Sequence, residues 1–172
     1  MDVNLMRKLP VGIQTFEKIR RENFLYVDKT ALMWQIAAKS APCFLSRPRR
    51  FGKSLLLSTF EAYFEGKREL FEGLAAEQLE NEWNVHPVLH LDLNAEKYDR
   101  PEALDAMLSN HLTQWESVHG KGEDETTLSR RFAGVIRRAC EQTGRGVVVL
   151  VDEYDKPLLQ ALGNMPLLEY YR

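Results

Sequence analysis

Two short stretches carry residue types suited to phosphate chemistry. The first is Gly52-Lys53-Ser54, set between the cationic loop Arg47-Pro48-Arg49-Arg50 and the apolar run Leu55-Leu56-Leu57. A glycine lets the backbone approach an anion closely, a lysine reaches β- and γ-phosphates, and the hydroxyl after it is a magnesium ligand. Backbone N–H groups at the positive end of a following helix complete such a cradle. The second stretch is Asp152-Glu153, directly after Val147-Val148-Val149-Leu150-Val151. Consecutive acids at the carboxyl end of a parallel strand are placed to hold magnesium, here Asp152, and to polarise an attacking water, here Glu153.

Each stretch alone is a weak signal. A phosphate loop ordinarily has a glycine five residues before Gly52, where this chain has Arg47, and Pro48 removes one backbone donor. Gly-Lys-Ser is also ordinary helix-start chemistry, and an apolar run ending in two acids arises by chance. The combination is far more specific, because both features occur in the right order and each on the right local pattern. It designates a nucleotide phosphate site. Arg49, Arg50, Phe51, Gly52, Lys53, Ser54 and Leu55 are the expected nucleotide-binding residues, Ser54 and Asp152 the magnesium ligands, and Lys53 and Glu153 the catalytic pair.

The elements that must position these residues alternate. Ile13, Phe16 and Ile19 recur at helical spacing, and Phe24–Val27 is a short extended piece ending at Asp28, an N-cap for a helix to about Ala38. Cys43-Phe44-Leu45 is the expected first buried strand, and the helix after the loop runs to about Phe64. A helix over about 69–83 follows, with Leu70, Phe71, Leu74, Leu79 and Trp83 as core candidates. Val88–Leu93 reads as a strand. Helices over about 101–118 and 126–142 flank the hydrophilic, exposed-looking loop Gly120–Glu125. Val147–Val151 has the composition of a strand buried on both faces. Two short helical pieces, starting at Pro157 and Pro166, end the chain. Strands alternating with helices predict an α/β layered domain with a mostly parallel sheet.

Composition narrows the classes. The chain has 172 residues, 44% hydrophobic and 28% charged, with a formal net charge of -2, which suits one globular domain and gives no global basic excess for nucleic acid. No uninterrupted apolar run reaches the roughly 18 residues of a membrane helix, and the first ten residues lack the apolar core of a signal peptide. The two cysteines, Cys43 and Cys140, have no cluster spacing and read as buried thiols of a cytoplasmic protein. His86, His90, His111 and His119 show no ligand spacing. Other groups carry two readings each. Asp28 and Lys29 are a cap and a solvated lysine, or neighbours of a nucleotide base. Ile13 and Phe16 are core, or adenine contacts. Asp92 is a surface strand-end acid, or a holder of water or metal. Asp155 and Lys156 form a local ion pair, or orient a neighbour.

LPVGIQTFEKIRRENFLYVDKT, FLSRPRRFGKSLLLSTFEAYF, HLDLN and VVVLVDEYDKPLLQAL together resemble the predicted AAA-ATPase-like proteins of bacteria and archaea. These lie within the P-loop NTPases of the additional-strand, catalytic-glutamate class. The resemblance covers nearly the whole chain, and the RPRRFGKS loop is similar to the family's own Walker A form. It implies a P-loop NTPase three-layer sandwich over residues 1–172, an ATP and magnesium site, and hydrolase activity. It also implies a C-terminal nuclease-like domain of the PD-(D/E)xK type in a longer chain. In this class a further strand inserts beside the Walker B strand that carries the acid pair. This chain stops at Tyr170-Tyr171-Arg172 before such a strand, so the expectation is an incomplete P-loop domain, less stable than its size suggests. The alternative reading is a non-hydrolysing ATP switch that regulates an attached domain. Nucleic acid and membrane are not expected partners of this part.

Overall fold

The computed structural model describes residues 7–39, 41–48, 50–94 and 96–171. The chain forms two compact units that divide between Val85 and His86. The described residues are α/β: helices dominate, and a small parallel sheet of two strands lies in the second unit. Among the described residues no helix is long and apolar enough to cross a membrane.

The first unit contains α1 (Phe16–Arg21), α2 (Thr30–Ala37), α3 (Lys53–Phe64), a 3-10 turn (Arg68–Phe71) and α4 (Ala75–Leu79). Its centre is aromatic. Phe16 is fully buried and meets Tyr26 at 5.1 Å and Phe71 at 4.9 Å between ring centroids. Trp83 packs on Phe71 at 5.0 Å and on Tyr63 at 5.7 Å. Tilted and edge contacts of this kind suit the ring quadrupoles. Phe16 is therefore core, as is Ile19 at 0% exposure.

Asp28 and Thr30 join two helix starts in this unit. Asp28 Oδ1 accepts hydrogen bonds from the Thr30 amide at 2.8 Å and the Thr30 hydroxyl at 2.7 Å. Its Oδ2 accepts from the Ala75 amide at 2.8 Å, and the Thr30 Oγ1 accepts from the Ala76 amide at 2.9 Å. First-turn amides lack intrahelical partners, so one carboxylate serves the starts of both α2 and α4. Burial opposes its charge, and the bonds from Thr30 and Ala75 outweigh that, so its pKa lies below the ordinary value. The helix expected over 69–83 is accordingly broken. Leu74 is extended, α4 starts afresh at Ala75, and Leu79, expected in the core, is exposed.

The expected strand Cys43–Leu45 is also corrected. These residues are irregular and exposed, with Phe44 at 67%. A strand exists only through its ladder, and the sheet of the described residues pairs other segments.

The second unit holds β1 (Val88–Asp92), α5 (Glu102–His119), α6 (Leu128–Thr143), β2 (Val148–Asp152), α7 (Lys156–Gln160) and α8 (Met165–Tyr170). The strands are parallel, with Val88 opposite Val148 and Asp92 opposite Asp152. Leu150 is buried, but Val149 and Val151 are about two-fifths exposed at 41% and 40%, so β2 is covered on one face rather than the expected two. Leu93, Tyr98, Ala103 and Met107 form a core at the carboxyl end of β1. Tyr98 is fully buried and its hydroxyl donates to the Leu93 carbonyl at 2.8 Å. Burial, then the charges of Asp92 and Glu96, push its pKa up to about 12.

Two arginines of α6 tie it to α5 and to the loop before α6. Arg131 is bidentate on Glu116, at 2.7 Å and 2.8 Å, and also reaches Ser109 and Thr113. Arg138 is bidentate on Glu125, at 2.5 Å and 2.9 Å. Glu125 thus leaves the loop expected to be solvated. Both cysteines, expected to be buried, are exposed and free.

Candidate functional site

The phosphate-loop residues lie in the first unit and the acid pair in the second, and each set is a local structure in its own right. The loop closes on itself. Lys53 Nζ donates to the Arg47 carbonyl at 3.2 Å, spanning six residues of backbone. Arg50 and Gly52 both have positive φ, 67° and 74°. Glycine takes this conformation without the Cβ penalty, and Gly52 is the residue that turns the loop into α3. The first helical bond runs from the Leu56 amide to the Gly52 carbonyl at 3.0 Å. The amides of Lys53, Ser54 and Leu55 therefore stand in the first turn, which contains no intrahelical partners for them. Gly52 has no side chain with which to cap this end of α3, no acidic residue occupies its first turn, and among the described residues no hydrogen bond is made to the amides of Lys53, Ser54 or Leu55. The positive end of α3 thus has Lys53 and Ser54 as its first two residues. Phe51 is exposed, Arg50 is exposed, and Arg49 lies outside the described residues.

The acids stand at the carboxyl end of the parallel pair, where ligands of open α/β sheets bind. Asp152 is the last residue of β2 and 8% exposed, and its Oδ1 accepts from the Glu153 amide at 2.9 Å. Glu153 has a φ of 53°. That is uncommon for a residue with a side chain, and such conformations persist where the surroundings over-determine them. Asp92 is the register partner of Asp152 on β1, and its Oδ1 accepts from the Asn94 amide at 2.8 Å. Neighbouring strands lie about 4.8 Å apart, so a second carboxylate borders the acid pair. Among the described residues no group of three or more His, Cys, Asp or Glu side chains is arranged to hold a metal ion.

Of the residues with two readings, Asp28 is a capping acid of two helices, and Phe16 is core. His86 and His119 make local bonds, to the Gly146 carbonyl and to Gln142, each at 2.9 Å. Lys156 orients a neighbour: its ammonium binds the carbonyl and the side-chain oxygen of Asn94. Asn94 and Tyr98, which support the acid end of the sheet, had no signal beyond a polar loop after an acid-ended strand.

Comparison with known proteins assigns the lineage. The family model described as "Predicted AAA-ATPase" matches residues 10–172. An "Uncharacterized protein in vnfD 5'region" of Azotobacter chroococcum mcd 1 is 42% identical over 160 residues, covering 91% of this chain and 30% of that protein. The chain thus spans less than a third of that relative's length. No solved structure matches. With its Gly-Lys-Ser helix start and its acid-ended parallel strand inside a match over residues 10–172, the chain belongs to the predicted AAA-ATPase-like family.

Proposed function

We propose that the chain is the P-loop part of a magnesium-dependent ATPase, built on a three-layer sandwich and acting in the cytoplasm. The observation that carries this reading is the start of α3, with Gly52 left-handed at the cap and Lys53 closing the loop over the Arg47 carbonyl. A polyphosphate suits that arrangement because first-turn amides lack intrahelical acceptors and the lysine would exchange a neutral acceptor for a charged one. In this reading Lys53 and the amides of Gly52–Leu55 bind the phosphates, with Arg49, Arg50 and Phe51 completing the loop. Ser54 and Asp152 hold magnesium. Glu153, in the left-handed turn after β2, positions and polarises water. Magnesium, when bound, neutralises charge that develops on the phosphate oxygens.

The fit is partial. The loop residues suit a phosphate, and Asp152 stands at the carboxyl end of a parallel strand, its Oδ1 accepting from the Glu153 amide. The Azotobacter relative's greater length favours a second reading of the same site. There, ATP occupancy sets the conformation of a further domain of the longer chain, with slow turnover or none. A nuclease-like domain is the candidate.

One pair of variants tests the first reading. Lys53→Ala should abolish binding of Mg-ATP measured by titration calorimetry. Glu153→Gln should retain binding and lower multiple-turnover phosphate release by about 100-fold or more, the usual range for a positioned general base. Turnover by Glu153→Gln at the parental rate rejects the catalytic assignment. Binding by the parent without turnover selects the switch.

A further inference from the structure

Glu153 holds a backbone conformation that an ordinary side chain disfavours, and the Asp152 side chain gives the turn one bond, accepting from the Glu153 amide. Something else must hold the turn. Its closing bond runs from the Lys156 amide to the Glu153 carbonyl, at 2.9 Å. The Lys156 side chain then leaves β2's end and crosses to the loop after β1. Its ammonium donates to the Asn94 carbonyl and, at 3.1 Å, to Asn94 Oδ1. It also lies 5.9 Å from the centroid of the Tyr98 ring, an attraction between cation and π-face.

The far end of this clamp is itself fixed. The Asn94 amide donates to Asp92 Oδ1 at 2.8 Å, so Asn94 is tied to the acid that pairs in register with Asp152. Tyr98 donates its amide to Gln160 Oε1 at 2.7 Å and its hydroxyl to the Leu93 carbonyl, while the Leu93 amide binds the Asp152 carbonyl at 3.1 Å. A closed circuit results: Glu153 to Lys156, Lys156 to Asn94, Asn94 to Asp92, and from β1 back to Asp152. An exposed turn alone would relax to the right-handed region, whereas a turn joined to a buried tyrosine and a strand end has little freedom to do so.

We propose that Lys156 is a positioning residue for Glu153, holding the left-handed turn by clamping it to Asn94 in the loop after β1. The catalytic consequence rests on the ATPase reading given above; the clamp itself does not. Lys156→Met keeps the stem over Tyr98 and removes the ammonium, Lys156→Arg keeps donors, and Asn94→Ala removes one of the two acceptors.

Two measurements on the full chain separate the clamp from the ATPase reading. Amide hydrogen exchange followed by mass spectrometry should show about tenfold faster exchange in Lys156→Met over 152–156 and 92–98, with α5 and α6 unchanged. Lys156→Arg should restore protection, and Asn94→Ala should fall between. Unchanged exchange in Lys156→Met overturns the proposal. Phosphate release should show kcat lowered about tenfold in Lys156→Met with KM for ATP within about twofold, and recovery in Lys156→Arg. A lowered kcat without the arginine rescue, or an unchanged kcat in a parent that hydrolyses ATP, also overturns it. If the parent neither binds nor hydrolyses ATP, the ATPase reading fails, and the exchange result still decides the clamp.

Discussion

The carboxylate of Glu125 occupies the space in which a side chain on Gly134 would stand. A Cβ built on Gly134 would lie 1.8 Å from Glu125 Oε1 and 2.2 Å from its Cδ. The same carboxylate is gripped by both terminal nitrogens of Arg138 and by the Gly122 amide at 3.1 Å. The glycine therefore lets the loop before α6 fold its acid against the helix.

A test follows from helix propensity. Gly134 sits inside α6, where alanine ordinarily stabilises by about 1 kcal/mol. Here Gly134→Ala should destabilise, because the new methyl evicts Glu125 from a pair of bonds it cannot remake elsewhere. In a Glu125→Ala background the obstacle is gone, and Gly134→Ala should then stabilise by about 0.5–1 kcal/mol. Urea denaturation of the four proteins measures both. Stabilisation of the same size in either background would show that Glu125 is not seated as described.

The Glu125–Arg138 pair also sets an acid response. The hydrogen bonds from Arg138, then that from Gly122, lower the Glu125 pKa from 4.5 to about 2. A carboxylate whose folded value is depressed contributes stability that is fully present above its unfolded value. That contribution is lost as pH falls from about 4.5 towards about 2. Glu116 moves in the same direction, chiefly through its hydrogen bonds from Arg131. The expected outcome is a urea midpoint for the parent that falls across this window, and a shallower fall in Glu125→Gln. Equal slopes in the two proteins would place the acid sensitivity elsewhere.

The contrast between what was readable and what was not has a physical pattern. Leu104, Met107, Leu108 and Leu112 announce α5, and the β-branched run announces β2, because those signals are local periodicities. The break between Phe71 and Ala75 is non-local: it depends on Asp28 and Thr30 capping amides 47 and 46 residues away, respectively. Glu125 belongs to the most hydrophilic stretch, yet its partner lies 13 residues on, across a helix face. Cys43–Leu45 has a strand's composition, but composition supplies no ladder partner. At the site, Lys53, Ser54, Asp152 and Glu153 were legible as residue types. The self-closure onto the Arg47 carbonyl and the support from Asn94 and Tyr98 were not, since a backbone oxygen and a loop asparagine carry no pattern.

The Asp28 junction yields the last prediction. A capping acid replaced by alanine costs about 0.5–2 kcal/mol at one helix start. Asp28 accepts from the starts of two helices and from the Thr30 hydroxyl, which in turn serves Ala76, so its removal disturbs both ends of one short network. Asp28→Ala should therefore lower stability by about 2–3 kcal/mol, at the top of the range for a single cap or above it. Asp28→Asn keeps one acceptor oxygen and should lose about half as much. Because Asp28 is a structural acid in this account, Mg-ATP affinity should change less than twofold in Asp28→Asn at a temperature where the variant is folded. A large affinity loss in that folded variant would move Asp28 from the helix junction into the nucleotide site.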